Sequence, residues 1–148
     1  MYSIAHEKDD VSAKTCNERQ EYFLKYAAKI AQKSVMEHKH GAIIVHDNTI
    51  IGVGYNHLYE HMCHQRSIHA EVDALMKVKG RGKHIMCDAE MYVVRIGTPR
   101  MKCPLKYSKP CCDCQNAVLK YGIRKVYYST NYEYNAAVES LLLSEAHD

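Results

Sequence analysis

Two short clusters in the 148-residue chain combine residue types that bind metal ions and transfer protons. One is H-A-E at residues 69–71, and the other is P-C-C-D-C at residues 110–114. An imidazole nitrogen and two thiolates suit zinc, and three protein ligands leave the fourth position of a tetrahedral site open for water. Zinc lowers the pKa of such a water toward ~7. The clusters therefore predict a catalytic zinc site with His69, Cys111 and Cys114 as ligands.

Glu71 follows the histidine by two residues, at the predicted start of a helix. From there its carboxylate can lean over the metal without binding it. It can take a proton from the bound water, deliver it to a ring nitrogen, and then protonate a leaving amine. Cys111 and Cys114 are three residues apart, so they share one face of a helix, and the helix dipole stabilises their thiolates.

Each of these residues also has a simpler interpretation. His69 could be a surface histidine, and the two cysteines could be buried thiols. A redox cysteine pair is a further alternative, but that motif normally follows the first strand of its fold, whereas this pair lies late in the chain. Seven cysteines, an odd number, without a secretory signal argue against a disulfide framework. The two clusters together favour zinc.

Hydrophobic periodicity and turn residues predict the elements that must position these clusters. The apolar stripe of the first helix includes Tyr22 and Val35. The predicted helices cover residues 17–37, 69–79, 111–121 and 135–146. The predicted strands cover residues 42–45 and 50–53, joined by a turn at 46–49, and residues 91–96 and 125–129. Residues 54–67 and 97–109 are expected to form loops or irregular structure.

This order of elements predicts an α/β fold, a three-layer α/β/α domain with a mixed central sheet of four to five strands. Residues 1–16 are expected to form a polar arm and residues 17–148 a single catalytic domain. The formal net charge is +3, from 20 basic and 17 acidic residues, which suits a small phosphorylated substrate without indicating nucleic acid. The sequence contains neither a membrane-spanning apolar run nor a secretory signal, so a cytoplasmic protein is expected.

The two clusters, in this order and each opening a helix, resemble the zinc motifs of the cytidine/deoxycytidylate deaminase superfamily, and the resemblance extends from about residue 17 to about residue 146. It implies hydrolytic deamination of a cytosine ring, with deoxycytidylate as the leading substrate, and assembly into a homo-oligomer. It also implies that Asn56 contacts the sugar and that Tyr132 lies near the nucleotide. The backbone amides of Ala70 and Cys111 would hold the water and the base.

Four features depart from the patterns of this superfamily. His57 stands where allosteric deoxycytidylate deaminases usually have glycine, which argues against allosteric control by nucleoside triphosphates. The segment 97–109 is longer than usual. The chain stops after its predicted last helix, so a fifth strand is expected to be absent or displaced. Lys109 replaces the glutamate typical of tRNA adenosine deaminases, which weakens that interpretation.

Other functions remain open from the sequence alone. The protein could deaminate a free nucleoside, or a base within RNA or single-stranded DNA, although the latter needs a basic groove with stacking aromatic residues. A non-catalytic zinc scaffold is a third hypothesis, against which the carboxylate of Glu71 argues. A second, structural zinc could use His61, Cys63, His64 and Cys103. A polar loop with incidental histidines is the favoured interpretation of that cluster.

Overall fold

A computed structural model describes residues 18–59, 67–97 and 105–130 of the chain, together with the backbone of residues 138–142. The helices are α1 (Glu18–Ala31), α2 (Ala70–Lys77), α3 (Lys83–Met86) and α4 (Cys112–Tyr121). The strands are β1 (Lys39–His46), β2 (Thr49–Tyr55), β3 (His57–Leu58), β4 (Ser67–Ile68), β5 (Glu90–Ile96), β6 (Leu105–Lys106), β7 (Lys125–Ser129) and β8 (Val138–Leu142). In the described part of the chain, no helix is long and apolar enough to cross a membrane.

The main sheet is mixed and follows the order β2-β1-β5-β7-β8. Strands β5 and β7 are parallel, whereas the pairs β1–β2, β1–β5 and β7–β8 are antiparallel. The short strand β6 pairs with the end of β5, and β3 and β4 form a separate two-stranded sheet. The predicted mixed central sheet is therefore confirmed, with β6 as an additional short strand inside the segment 97–109.

The central strands are buried on both faces, because helices cover both sides of the sheet. On one face, α1 packs through Phe23, Leu24 and Ala27 against Ile43 of β1 and Tyr92 of β5. On the other face, α2 and α4 pack against the alternate residues of the same strands. That cluster includes Ala42, Ile44, Ala74, Leu75, Met91, Val93 and Val118. The alternation of side chains along a strand thus produces the three-layer α/β/α arrangement.

The turn between β1 and β2 agrees with the sequence prediction of a hairpin. Asp47 and Asn48 have φ angles of 53° and 61°, the left-handed conformation that a two-residue turn of type I′ requires at both positions. Asp and Asn tolerate this conformation better than most residues because their short side chains bond the nearby backbone. The turn thereby fixes the register in which Val45 faces Ile50.

The first helix is shorter than predicted, ending at Ala31 rather than continuing to residue 37. The backbone N–H groups of Lys33 and Ser34 bond carbonyls three residues back, which closes the helix in a tighter turn. The hydroxyl of Ser34 then donates to the carbonyl oxygen of Asn56 at 2.9 Å and accepts from the N–H of Met36 at 3.2 Å. Val35, assigned above to the apolar stripe, is 86% exposed.

The prediction of a final helix over residues 135–146 is wrong, because Val138–Leu142 forms strand β8 beside β7. The expectation that a fifth main strand is absent or displaced is therefore also wrong. A short apolar run such as this one fits a helix stripe and a buried strand equally well by periodicity alone. Pairing with β8 satisfies the backbone groups that β7 would otherwise present at an open sheet edge.

Candidate active site

The start of α2 is positioned by the strands that precede it. Strand β2 ends at Tyr55, and β3 then pairs with β4 so that His57 lies opposite Ile68, the residue before His69. The approach of β2 to α2 is close at Gly54, where a Cβ atom would lie 2.3 Å from the backbone nitrogen of Ala74. Only glycine allows this contact, which places the end of β2 beside the first turn of α2.

Asp73 holds the same junction together with side-chain hydrogen bonds. Its buried carboxylate accepts from the backbone N–H of Tyr55 at 3.1 Å. The same carboxylate lies 3.4 Å from Nε2 of His57 and 3.7 Å from the ammonium of Lys77. His57, the residue that departs from the allosteric pattern, thus contacts an acidic side chain of α2.

Three potential metal ligands converge where α2 and α4 begin. His69 immediately precedes α2 and Cys111 immediately precedes α4, both with extended backbone, while Cys114 lies in the first turn of α4. Nδ1 of His69 is 3.2 Å from Sγ of Cys114 and 4.0 Å from Sγ of Cys111, and the three donor atoms lie within 4.8 Å of one another. Among the described residues, this is the one such group that could hold a metal ion.

The three residues differ in their exposure to solvent. Cys114 is buried, whereas His69 and Cys111 are exposed. The group is therefore anchored to the core on one side and open on the other. A small molecule can approach that open side, which a closed four-ligand structural site would not permit.

The carboxyl of Glu71 lies beside the buried thiol of Cys114. Burial raises the pKa of Glu71, against the opposing effects of a hydrogen bond from its own backbone N–H and of the nearby His69. Burial also raises the pKa of Cys114, and the negative charge of Glu71 raises it further. The carboxyl of Glu71 and the thiol of Cys114 are thus two acidic groups in one poorly solvated space. A cation bound there would stabilise the carboxylate and the thiolate.

This donor set fits zinc. One imidazole and two thiols are among the ligands that zinc prefers, and their mutual distances suit one tetrahedral centre. The anionic character of Cys111, Cys114 and Glu71 would be stabilised by a divalent cation. The sequence predicted that His69, Cys111 and Cys114 lie together, and the structure brings these three residues together.

Ala70 and Asn56, two of the residues predicted to contact the substrate, lie in the described part of the chain. Ala70 is fully buried in the first turn of α2. Asn56 is buried, its Nδ2 donates to the carbonyl oxygen of His38 at 2.6 Å, and its Oδ1 accepts from the backbone N–H of His40 at 2.9 Å. Asn56 thus has a structural role that the sequence did not reveal, and its contact with a sugar stays a prediction.

Several other predicted residues lie outside the described part of the chain. These are Tyr132 and the four candidates for a second zinc, namely His61, Cys63, His64 and Cys103. Lys109, directly before the proline of the cysteine cluster, is described and is exposed.

The motif pattern and its geometry agree with a comparison against protein families. Residues 17–130 match the family model described as the cytidine and deoxycytidylate deaminase zinc-binding region. The chain belongs to this family. Zinc is accordingly the cofactor that both the family and the donor set indicate.

The chain is also similar in sequence to one curated protein. The chain is 27% identical over 136 residues to ComE operon protein 2 of Bacillus subtilis (strain 168), covering 82% of this chain. The chain spans 64% of the length of that relative.

The dCMP deaminase of cyanophage S-TIM5 has a similar structure. In its apo form it is 26% identical, with a TM-score of 0.59 over 78% of this chain and 85% of that chain. The structure of the cyanophage enzyme in complex with dCMP and dUMP is 24% identical, with a TM-score of 0.56 over 86% of each chain, and shows the shared fold.

Proposed function

We propose that this protein is a zinc-dependent deaminase that converts deoxycytidylate to deoxyuridylate and releases ammonia. The observation that carries the proposal is the convergence of His69, Cys111 and Cys114 on one open position, with the carboxyl of Glu71 beside them. A structural zinc site requires neither an open position nor a buried carboxyl next to it. Membership of the deaminase family supports the same conclusion.

Each residue of the site has a distinct role in the proposed reaction. His69, Cys111 and Cys114 hold zinc, which when bound polarises a water for attack at C4 of the cytosine ring. Glu71 takes one proton from the attacking water and delivers it to ring atom N3. It then takes the second proton, from the hydroxyl group now on C4, and delivers it to the amine, which leaves C4 as ammonia while the C4 carbonyl forms. The backbone amides of Ala70 and Cys111 orient the water and the base.

The environment of Glu71 supports its assignment as the proton carrier. Its carboxyl is buried, and burial raises its pKa. A carboxyl that must accept a proton and release it in one cycle works best when its two forms are close in free energy at the working pH. Burial moves Glu71 toward that condition, whereas a solvated carboxylate would hold the proton too weakly.

The choice of substrate rests on similarity and on charge. The cyanophage relative is a dCMP deaminase, and its structure with dCMP and dUMP has the same fold. The net charge of +3 suits a phosphorylated molecule better than a neutral nucleoside. A free cytidine or deoxycytidine is the second candidate, and a base within a polynucleotide is the third.

A panel of substrates tests the proposal directly. Zinc-loaded protein is incubated with deoxycytidylate, cytidylate, deoxycytidine, cytidine, a tRNA and single-stranded DNA, and ammonia release is measured. We expect turnover of deoxycytidylate that is lost in Glu71→Ala and retained in Glu21→Ala, a matched change on the exposed face of α1. Turnover of polymers alone, or identical behaviour of Glu71→Ala and wild type, would overturn the proposal.

Self-association and a cytoplasmic location stay predictions that rest on the resemblance and on the sequence. Sedimentation of the purified protein tests the first of them.

A further inference from the structure

Three basic side chains lie next to the candidate zinc site, at the start of β1 and near the end of β5. We call His38, His40 and Arg95 the basic cluster. Nη2 of Arg95 donates to Nδ1 of His38 at 2.9 Å, and Arg95 lies directly opposite His40 in the antiparallel pairing of β1 with β5. No sequence pattern indicated this cluster, because Arg95 is 57 residues from His38 in the chain and meets the two histidines only through the β1–β5 register.

The hydrogen bonds within the cluster fix where its remaining donors lie. Because Nδ1 of His38 accepts from Arg95, the hydrogen of a neutral His38 ring is on Nε2. Nδ1 of His40 lies 3.3 Å from the carbonyl oxygen of His38, so this nitrogen carries a hydrogen and donates it. The guanidinium of Arg95 has further N–H groups besides the one that bonds His38.

The positive charge of the basic cluster is not balanced by a neighbouring carboxylate among the described residues. The ion pairs found there involve Arg19, Lys25, His46, His57 and Lys77, and Arg95 is in none of them. Burial lowers the pKa of His40, against the effect of its hydrogen bond to the backbone of His38, and the positive charge of Arg95 lowers it further. A guanidinium that has no carboxylate partner among the described residues and lies beside two imidazole rings would be stabilised by an anion.

Asn56 binds the cluster and lies near the active site, because the residue after it, His57, pairs with Ile68, the residue before His69. The amide of Asn56 bonds the carbonyl oxygen of His38 on one side and the N–H of His40 on the other. His40 is also close enough to His69 for the charges of the two rings to interact. The basic cluster is therefore close enough to His69 to meet another part of a molecule bound at the zinc site.

Lysine side chains nearby do not share this arrangement. The ammonium of Lys39, between the two histidines, donates to the carbonyl oxygen of Ser34, and Lys109 is exposed. Arg95 is only partly exposed and is held by His38, so less conformational freedom is lost when it binds a ligand.

We propose that the basic cluster of His38, His40 and Arg95 binds the phosphate monoester of the substrate. Arg95 donates to two phosphate oxygens in the paired geometry that a guanidinium favours, and the ring of His38 donates from Nε2. His40, whose Nδ1 hydrogen bonds the carbonyl oxygen of His38, donates from Nε2 only when its ring is doubly protonated, a form that a bound dianion favours. The phosphate dianion supplies the negative charge that the cluster lacks. The inference rests on the proposed function for the identity of the molecule that carries this phosphate.

Arg95→Met tests the inference, with Arg81→Met as a matched control in the exposed turn after the far end of α2. We expect Arg95→Met to lower kcat/KM for deoxycytidylate by roughly 10- to 100-fold, as for loss of a charge-assisted hydrogen bond, and to leave kcat/KM for deoxycytidine nearly unchanged. Arg81→Met should behave as wild type. Arg95→Lys should recover part of the loss, because it restores the charge but not the paired donors.

A binding measurement separates this inference from the proposed activity. Calorimetric titration with deoxyuridylate and with deoxyuridine compares a ligand that has the phosphate with one that lacks it. We expect Arg95→Met to weaken binding of deoxyuridylate alone. This result would uphold the phosphate site even if no deamination were found, a case in which only the proposed function would fail.

Three outcomes would overturn the inference. One is equal loss of activity toward deoxycytidylate and deoxycytidine in Arg95→Met, which would indicate a general structural role. Another is unchanged binding of deoxyuridylate in that variant. The third is Arg95-dependent binding of a single-stranded oligonucleotide without any binding of deoxyuridylate, which would assign the cluster to a polymer backbone.

Discussion

Nδ1 of His69 lies 3.2 Å from the thiol sulfur of Cys114, although 45 residues separate them in the chain. The contact exists because α2 and α4 begin close together, on the same face of the sheet. The N-terminal ends of two helices therefore build the site, and their dipoles favour the thiolates that a zinc ion needs. Changes that alter either helix start should affect metal binding before they affect the fold.

Replacing a ligand should remove the metal. Cys114→Ser keeps the size of the side chain but replaces the thiol with a hydroxyl that resists ionisation. We expect zinc affinity to fall by more than ~100-fold, because even residues that only support metal ligands contribute about 10- to 100-fold. Elemental analysis after dialysis against a competing chelator measures the effect.

Cys112→Ser is the matched control for that measurement. Cys112 lies between the two ligand cysteines and is exposed, and it is not part of the group that converges with His69. We expect its zinc content to equal that of wild type. Loss of zinc in Cys112→Ser with retention in Cys114→Ser would reverse the ligand assignment.

Gly54→Ala should destabilise the protein and disturb the start of α2. The added Cβ would lie 2.3 Å from the nitrogen of Ala74 and 2.5 Å from the carbonyl oxygen of Ala70, and these backbone atoms cannot move independently. We expect the free energy of unfolding to fall by about 3 kcal/mol, the upper end of the usual cost of overpacking. Chemical denaturation measures it.

Gly82→Ala provides the comparison for Gly54→Ala. A Cβ at Gly82 would meet only the ring of the exposed His84, which can rotate away. We expect a change within about 0.5 kcal/mol, because the only atoms that a Cβ would meet belong to a side chain that can move. Equal free energies of unfolding for Gly54→Ala and Gly82→Ala would show that the fold does not require glycine where β2 approaches α2.

Ser108 and Ser129 should stabilise the end of the long segment before the cysteine cluster. Both are buried, the hydroxyl of Ser108 donates to that of Ser129 at 2.8 Å, and Oγ of Ser108 also lies 2.9 Å from the carbonyl oxygen of Val93. Ser129 donates to the carbonyl oxygen of Lys106 at 2.5 Å. We expect Ser129→Ala to cost about 1–3 kcal/mol, because it leaves buried polar partners unsatisfied.

A double-mutant cycle with Ser108→Ala isolates the interaction between the two serines. We expect the two changes together to cost less than the sum of the single changes, by at least ~0.5 kcal/mol. Ser67→Ala, at an exposed position, should cost almost nothing. Strict additivity of the two buried changes would contradict a direct interaction.

The sequence predicted the parts of this fold that depend on local pattern. The hairpin turn at Asp47 and Asn48 follows from residues that tolerate positive φ, and the start of α4 follows from Pro110 and the cysteine spacing. The three residues that converge at the candidate metal site were also identified, since their types and spacing suit zinc.

Features that depend on distant contacts were not predictable from pattern. The helix α1 ends early because the hydroxyl of Ser34 bonds the carbonyl oxygen of Asn56, 22 residues later. Val138–Leu142 becomes a strand because it pairs with β7, which overrides a pattern that also fits a helix. The basic cluster was missed for the same reason, since the β1–β5 register alone brings Arg95 to His40.

The most direct test of the central claim is the conversion of deoxycytidylate by zinc-loaded wild type and by Glu71→Gln, with zinc content measured in both. The amide introduced by this change keeps the shape of the side chain but cannot carry a proton. We expect equimolar deoxyuridylate and ammonia from wild type, and a rate lowered by roughly 10²- to 10⁴-fold in the variant with its zinc retained. Equal rates in the two proteins, or no deamination by zinc-loaded wild type, would contradict the proposed role of Glu71 and the proposed reaction.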